Sequence, residues 1–187
     1  MRPAVFLDRD GTLIEEAGYL DRLERLAFYP YSIDAVRLLN QAGLAVVITT
    51  NQSGVARGLV EESFVLEAHA HIAARLAAGG ARVDGFYYCP HHPQGAREAY
   101  RQVCECRKPA PGMLRSAARE LGLDLARSYS VGDRWHDLEA GTPDGGRGIL
   151  VRTGYGRIDE AAPRSAAAPA AVVDNLIEAV TWILRHP

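Results

Sequence analysis

Five short apolar runs recur along the chain, each stopping at a polar residue or a glycine: AVFL before Asp8, LAVVIT before Thr50, GFYY before Cys89, YSV before Gly132 and GILV before Arg152. Runs this short, rich in β-branched and aromatic residues, read as strands, and the lack of polar alternation within them predicts a sheet covered on both faces. Between them lie helical spacings. In 32–42, Ile33, Val36, Leu38 and Leu39 form a stripe that ends at Gly43, and in 61–76 the set Val65, Ala68, Ile72 and Leu76 keeps the same period. Segment 111–122 opens on Pro111 and stops at Gly122, the expected asymmetry of a helix with a first-turn proline and a C-terminal glycine. Strand–helix alternation of this kind implies right-handed crossovers and parallel strands. The predicted fold class is therefore α/β, a Rossmann-like doubly wound parallel sheet. Past Arg157 the stretch APRSAAAPAA reads as a loose connection. VV then leads to Asp174 as a predicted N-cap, followed by the stripe Leu176, Ile177, Val180, Ile183 and Leu184.

No internal repeat or second unit is evident, so the expectation is one domain over 1–187, with one long irregular segment at 89–106. A chain of 187 residues buries roughly 70% of its surface on folding, enough for a core without disulfides. Lys and Arg total 21 against 23 Asp and Glu, a net charge of −2, which gives no electrostatic case for nucleic acid or an anionic membrane as partner. The apolar stretch of MRPAVFLDRD is cut by Asp8 and cannot act as a signal-peptide core, and no apolar run approaches the ~18 residues of a membrane span. A cytoplasmic protein is expected, and a monomer, since no association stripe stands out.

The polar residues that end the strands carry the chemistry. FLDRDGTLI sets Asp8 and Asp10 just after the first strand, with Gly11 able to turn sharply and Thr12 able to bond locally. Asp-Arg-Asp-Gly is also ordinary turn chemistry, so the other strand ends decide its meaning. In LAVVITTNQSG, Thr50 and Asn51 end a strand where hydroxyl, amide and backbone donors suit an anion. In CECRKPAPGM, Arg107 and Lys108 stand just before a helix start. In SVGDRWHDLEAG, Asp133 and Asp137 follow a strand, with Gly132 permitting close approach. Ligands of doubly wound sheets bind beyond the carboxyl ends of the strands. Carboxylates, a hydroxyl and a lysine collected there are the parts that bind Mg²⁺ and a phosphate.

All three cysteines fall in YYCPHHPQGAREAYRQVCECRKP, which gives a C-x-H pair at Cys89 and His91 and a C-x-C pair at Cys104 and Cys106. An odd, clustered count does not suit a disulfide framework. Three thiolates and one imidazole complete a tetrahedral Zn²⁺ set, and a closed set is structural. Spacing does not choose between His91 and His92, and a reduced cysteine cluster without metal is the plain alternative.

With those residues in place, the sequence resembles the haloacid dehalogenase (HAD) superfamily of phosphatases, whose motifs are a DxDGT-type start, a Thr or Ser after the second strand, a Lys and a GDxxxD. The resemblance implies Asp8 as nucleophile and Asp10 as general acid–base. Thr50 and Lys108 would hold the transferring phosphoryl group, and Mg²⁺ would lie on Asp8, the Asp10 backbone carbonyl and Asp133, with Asp137 in support. That chemistry requires Asp8 ionised and Asp10 protonated at the outset. FLDRDGT, TNQSG, YYCPHHPQG, RQVCECRKP, PGM and RTG together are similar to the family of D-glycero-D-manno-heptose 1,7-bisphosphate 7-phosphatases from about Pro3 to Arg157. This narrower resemblance implies zinc on Cys89, His91, Cys104 and Cys106. It further implies substrate contacts from Arg107, from Glu16, Ala17, Gly18 and Tyr19, and from Asn51, Gln52 and Ser53. Ala17 and the pair Trp135–His136 depart from the family pattern.

The expected function is Mg²⁺-dependent removal of the 7-phosphate from a heptose 1,7-bisphosphate, a small phosphorylated sugar, through an aspartyl-phosphate, within heptose nucleotide precursor biosynthesis. The alternatives are a histidinol-phosphate phosphatase and a non-catalytic zinc-stabilised binding protein. No large cap domain fits between the motifs, so short loops are expected to select the substrate. Plain readings cover His69 and His71 as surface or boundary residues, Trp182 as packing, Tyr87 and Tyr88 as sheet core, and Arg57 as either a substrate contact or a solvated arginine.

Overall fold

The computed structural model describes residues 1–162 and 168–186. Six parallel strands, β1 (Ala4–Leu7), β2 (Ala45–Asn51), β3 (Gly85–Cys89), β4 (Tyr129–Gly132), β5 (Arg147–Val151) and β6 (Ala171–Val173), form one sheet in the order β3-β2-β1-β4-β5-β6. The helices are α1 (Ser32–Gln41), α2 (Ser53–Ala56), α3 (Glu62–Ala78), α4 (Gly112–Leu121), α5 (Trp135–Glu139), α6 (Gly156–Ala161) and α7 (Leu176–Arg185). The chain fills one side from β1 to β3 and then crosses to β4, so the direction of winding reverses between β1 and β4, where doubly wound sheets hold their ligands. Register aligns the strand ends there. Leu7 pairs with Ile48 on one side and with Val131 on the other, which brings Asp8, Thr49–Thr50 and Gly132–Asp133 to one edge of the sheet.

Successive residues of β1 enter different cores, as the two-residue period of a strand dictates. Val5 and Leu7 pack with Val46, Ile48 and Val131 under α1, α3 and α7, while Ala4 and Phe6 pack with Ala45, Val47 and Cys89 against Met113, Leu114 and Ala117 of α4. This confirms the doubly covered sheet. The edges differ from that expectation: β3 and β6 are mostly half-buried because each has a neighbour on one side only. Tyr87 and Tyr88 accordingly are not enclosed; their hydroxyls donate to Glu120 at 2.7 Å and to Glu62 at 2.9 Å.

Three boundaries move. Strand β2 runs on through Asn51, and α4 begins at Gly112 with Pro111 just outside it. The cap of α7 is Asn175, whose side chain accepts from the Glu178 N–H, whereas the Asp174 N–H donates to Glu178. Of the Ala- and Pro-rich stretch, 163–167 lie outside the described residues. His69, expected as a surface or boundary residue, is 5% exposed, stacked on Phe86 with ring centres 4.9 Å apart. His71 is half-buried, and Trp182 packs as expected, edge-on to Tyr129. No helix among the described residues is long and apolar enough to cross a membrane.

Candidate active site

Four of the expected side chains meet at the reversal point. Asp8, Asp133 and Asp137 are buried and present carboxylate oxygens that lie within 4.8 Å of one another. Lys108 Nζ reaches into this group, 2.6 Å from Asp8 Oδ1, 2.6 Å from Asp137 Oδ1 and 2.7 Å from the Thr49 carbonyl to which it donates. Asn51 fixes the lysine from outside: its Oδ1 accepts from the Lys108 N–H at 3.0 Å and its Nδ2 donates to the Lys108 carbonyl at 3.1 Å. The glycines are there because nothing larger fits. A Cβ on Gly132 would strike Asp137, and a Cβ on Gly11 or Gly154 would strike Asp133 Oδ2.

Electrostatics show what this cluster lacks. Burial pushes the Asp8 carboxyl up to about 7, with Asp137 and Asp10 adding to the rise that Lys108 opposes. Burial and the neighbouring Asp8 and Asp137 push Asp133 up to about 9. Burial alone would lower Lys108, but Asp137 and Asp8 outweigh it and hold the ammonium above its ordinary range. One lysine does not balance three buried carboxylates. The donors are all oxygens, the set a hard divalent cation such as Mg²⁺ takes, and its charge would return Asp8 and Asp133 to the ionised form.

Asp10 sits at the cleft wall. Its carboxylate accepts from Arg9 Nε at 3.0 Å and Nη2 at 3.1 Å, and its Oδ2 accepts from Gln52 Nε2 at 3.0 Å. The same Gln52 nitrogen lies 2.7 Å from Thr50 Oγ1 and donates to it. The cleft, about 290 Å³, is lined by the buried Asp8 and Asp133, by Asp10, and by Arg107 and Arg134. Glu16, Gly18, Tyr19, Thr50, Asn51, Gln52 and Ser53 also line it. Ala17 does not; its side chain packs on the core, and its carbonyl accepts from Arg25 Nη2 at 2.5 Å. Arg25 also donates to the Tyr19 carbonyl at 3.0 Å, so one arginine shapes the loop that presents Glu16 and Tyr19.

Arg57 points elsewhere, to His92 at 3.2 Å, and is exposed. Arg134 and Tyr155 line the cleft without an expectation from the sequence, and His136, noted there only as a departure from the family pattern, lines it too. Arg134 lies over the Tyr155 ring at 4.6 Å, and the Tyr155 N–H donates to Asp133 Oδ2 at 2.8 Å. A cation directly after Asp133 was the available signal; the tyrosine's contact is purely tertiary. His136 is pushed down to about 4 by burial and by Lys108, so it stands in the cleft as a neutral ring. Trp135 fastens α5 to α6, its N–H donating to Asp159 Oδ2 at 2.9 Å and its indole to the Asp159 carbonyl at 2.6 Å.

The second cluster gathers Cys89, His91, Cys104 and Cys106, whose ligand atoms also lie within 4.8 Å of one another. His91 Nδ1 is the imidazole nitrogen inside it, 3.3 Å from Cys106 Sγ, while His92 turns to Arg57 and Gln94. Burial pushes the Cys89 thiol well up. A soft cation at the centre reverses that by binding thiolates, and three sulfurs with one nitrogen are a set that could hold zinc. Arg107, next to Cys106, donates from Nη1 to the His91 carbonyl at 3.3 Å, so the cluster and the cleft share a wall.

Comparison with known proteins agrees with this geometry. Residues 105–179 match the HAD-hydrolase-like family. The D-glycero-beta-D-manno-heptose-1,7-bisphosphate 7-phosphatase of Escherichia coli (strain K12) is 48% identical over 81% of this chain and 80% of its own length. Its namesake from Pasteurella multocida is 44% identical over 82% of this chain and 84% of its own length. Among solved structures, the D,D-heptose 1,7-bisphosphate phosphatase from B. bronchiseptica, complexed with magnesium and phosphate, is similar over 100% of both chains with a TM-score of 0.87 and 34% identity.

Proposed function

The chain belongs to the HAD family of D-glycero-β-D-manno-heptose-1,7-bisphosphate 7-phosphatases and is a phosphoric monoester hydrolase, and from that premise we propose that it removes the 7-phosphate of the heptose bisphosphate. The observation that carries the reading is the buried group of Asp8, Asp133, Asp137 and Lys108 at the point where the sheet reverses. Asp8, the Asp10 backbone carbonyl and Asp133 would hold Mg²⁺, with Asp137 in support. The bound cation supplies the positive charge that lets a carboxylate approach a phosphate.

The rest is done by side chains. Lys108 and the Thr50 hydroxyl hold the phosphoryl oxygens, and an Asp8 oxygen attacks phosphorus as the bond to the sugar oxygen breaks. Asp10 gives its proton to that leaving alkoxide. It then takes a proton from water, whose oxygen attacks the aspartyl-phosphate, breaks the bond to Asp8 and releases inorganic phosphate. Splitting the displacement in two matters because phosphate monoesters are among the slowest substrates in water, where enzymes reach accelerations of about 10²¹.

Arg107 and Arg134 in the cleft wall suit the second phosphate, and the 16–19 loop with Asn51, Gln52 and Ser53 suits the sugar. Zn²⁺ on Cys89, His91, Cys104 and Cys106 is structural, holding the 89–106 segment so that Arg107 and Lys108 keep their places. A thiolate zinc site belongs in a reducing compartment, which supports a cytoplasmic location. We take the chain to work as one domain and as a monomer. Asp8→Asn is the test. It removes the charged nucleophile at nearly constant volume, so phosphate release with Mg²⁺ present is expected to fall at least ~10³-fold with the melting temperature little changed; parent-like release would overturn the reading.

A further inference from the structure

Arg9 is only 2% exposed, and it heads the fully buried side chains in size. A buried guanidinium needs a partner to be tolerated at all, and an apolar side chain of similar volume would fill the same space without desolvating a charge. Its contacts show what the charge is used for. Nε donates to Asp10 Oδ2 at 3.0 Å and Nη2 to Oδ1 at 3.1 Å, with Nη2 also 2.9 Å from Oδ2. Nη1 faces His69 Nε2 at 3.5 Å, and His69 is itself fixed by stacking on Phe86 and by Tyr88 edge-on at 5.7 Å. Burial holds the His69 ring neutral, so it stands beside the guanidinium without repelling it.

We propose that Arg9 is a positioning residue for Asp10. Without Arg9, only Gln52 Nε2 at 3.0 Å and the Thr50 hydroxyl at 3.5 Å would hold the carboxyl, both at Oδ2, so Oδ1 would be free to swing, whereas the planar fork of Arg9 fixes the plane of the group as well as its place. Asp10 thereby keeps one orientation in the cleft for giving a proton to the leaving oxygen and for taking one from water. The proposal rests on the assignment of Asp10 as the proton-transferring group.

Two variants and two substrates separate this role from a merely structural one. Arg9→Gln removes the charge, and Arg9→Lys keeps a buried cation but loses the fork. Heptose 1,7-bisphosphate expels an alkoxide that needs a proton, while p-nitrophenyl phosphate expels a phenolate that does not. In both variants, kcat on the heptose substrate is expected to fall about 100-fold with KM within about threefold, in line with the usual contribution of a positioned acid. The first turnover of p-nitrophenyl phosphate, read as a burst of phenolate, is expected to stay within about threefold of the parent, followed by slow turnover as water activation fails. Equal losses on both first turnovers, parent-like activity, or failure of both variants to fold would each overturn the proposal. Asp10→Asn is run beside them: full heptose turnover in that variant would instead remove the acid–base assignment beneath it.

Discussion

Asp133 is enclosed by two glycine backbones, and the tightness has a measurable cost. Gly11 has φ +85° and Gly154 φ +53°, both left-handed, and a Cβ on either would meet Asp133 Oδ2. Gly11→Ala is expected to lower stability by about 1–2 kcal/mol through its backbone alone, and to raise the Mg²⁺ concentration for half-maximal activity as Asp133 is displaced. Urea unfolding and a Mg²⁺ titration read the two effects separately. His69 makes a second residue-scale prediction. Burial holds its folded-state value down to about 3 against an ordinary 6.5, so below pH 6.5 the unfolded chain binds a proton that the folded one refuses. Stability is present in full above pH 6.5 and is lost as pH falls, by about 2 kcal/mol at pH 5. Urea titrations at pH 7.5 and pH 5 are expected to show that His69→Gln removes about that much of the acid loss; an unchanged loss would reject the burial account. Asp8, Asp10, Lys108 and Asp133 were legible because each ends a strand or precedes a helix. Arg9, Arg134 and His136 were not, because sequence neighbours do not tell which way a charged side chain turns once the chain folds.

At the scale of elements, the 89–106 segment is tied down from two sides. Tyr100 donates to Glu62 at 2.7 Å, and the Arg97 N–H donates to the Ala56 carbonyl at 2.8 Å, while the Cys and His ligand atoms close its base. Stringent chelation followed by Mg²⁺ repletion is therefore expected to lower the melting temperature and raise KM before it lowers kcat, since Arg107 and Lys108 continue directly from Cys106. Unchanged melting and kinetics would mean the cluster works without metal. The strands and long helices were readable because apolar periodicity dictates them. The cap of α7 was misplaced by one residue because Asp174 and Asn175 are both good capping types, and only the backbone decides which carbonyl accepts from Glu178. The half-burial of β3 and β6 follows from strand order, which no local pattern carries.

For the molecule as a whole, function depends on strand order more than on any single motif. The order β3-β2-β1-β4-β5-β6 brings the ends of β1, β2 and β4 together, and residues from 8 to 155 share one cleft of about 290 Å³. The alternation of strands and helices predicted such a sheet, and the sequence order of the polar strand ends placed the parts of the site. What the sequence left open was how the cleft is walled, since Arg134 and Tyr155 arrive from the far side of the reversal point. The substrate class therefore calls for direct measurement. Steady-state kcat/KM with Mg²⁺ is to be compared across the β and α anomers of D-glycero-D-manno-heptose 1,7-bisphosphate and histidinol phosphate, with ³¹P NMR identifying the phosphate released. Highest kcat/KM on the β anomer, with the 7-phosphate lost and the 1-phosphate retained, is the predicted result; preference for histidinol phosphate, or loss of the 1-phosphate, would contradict it.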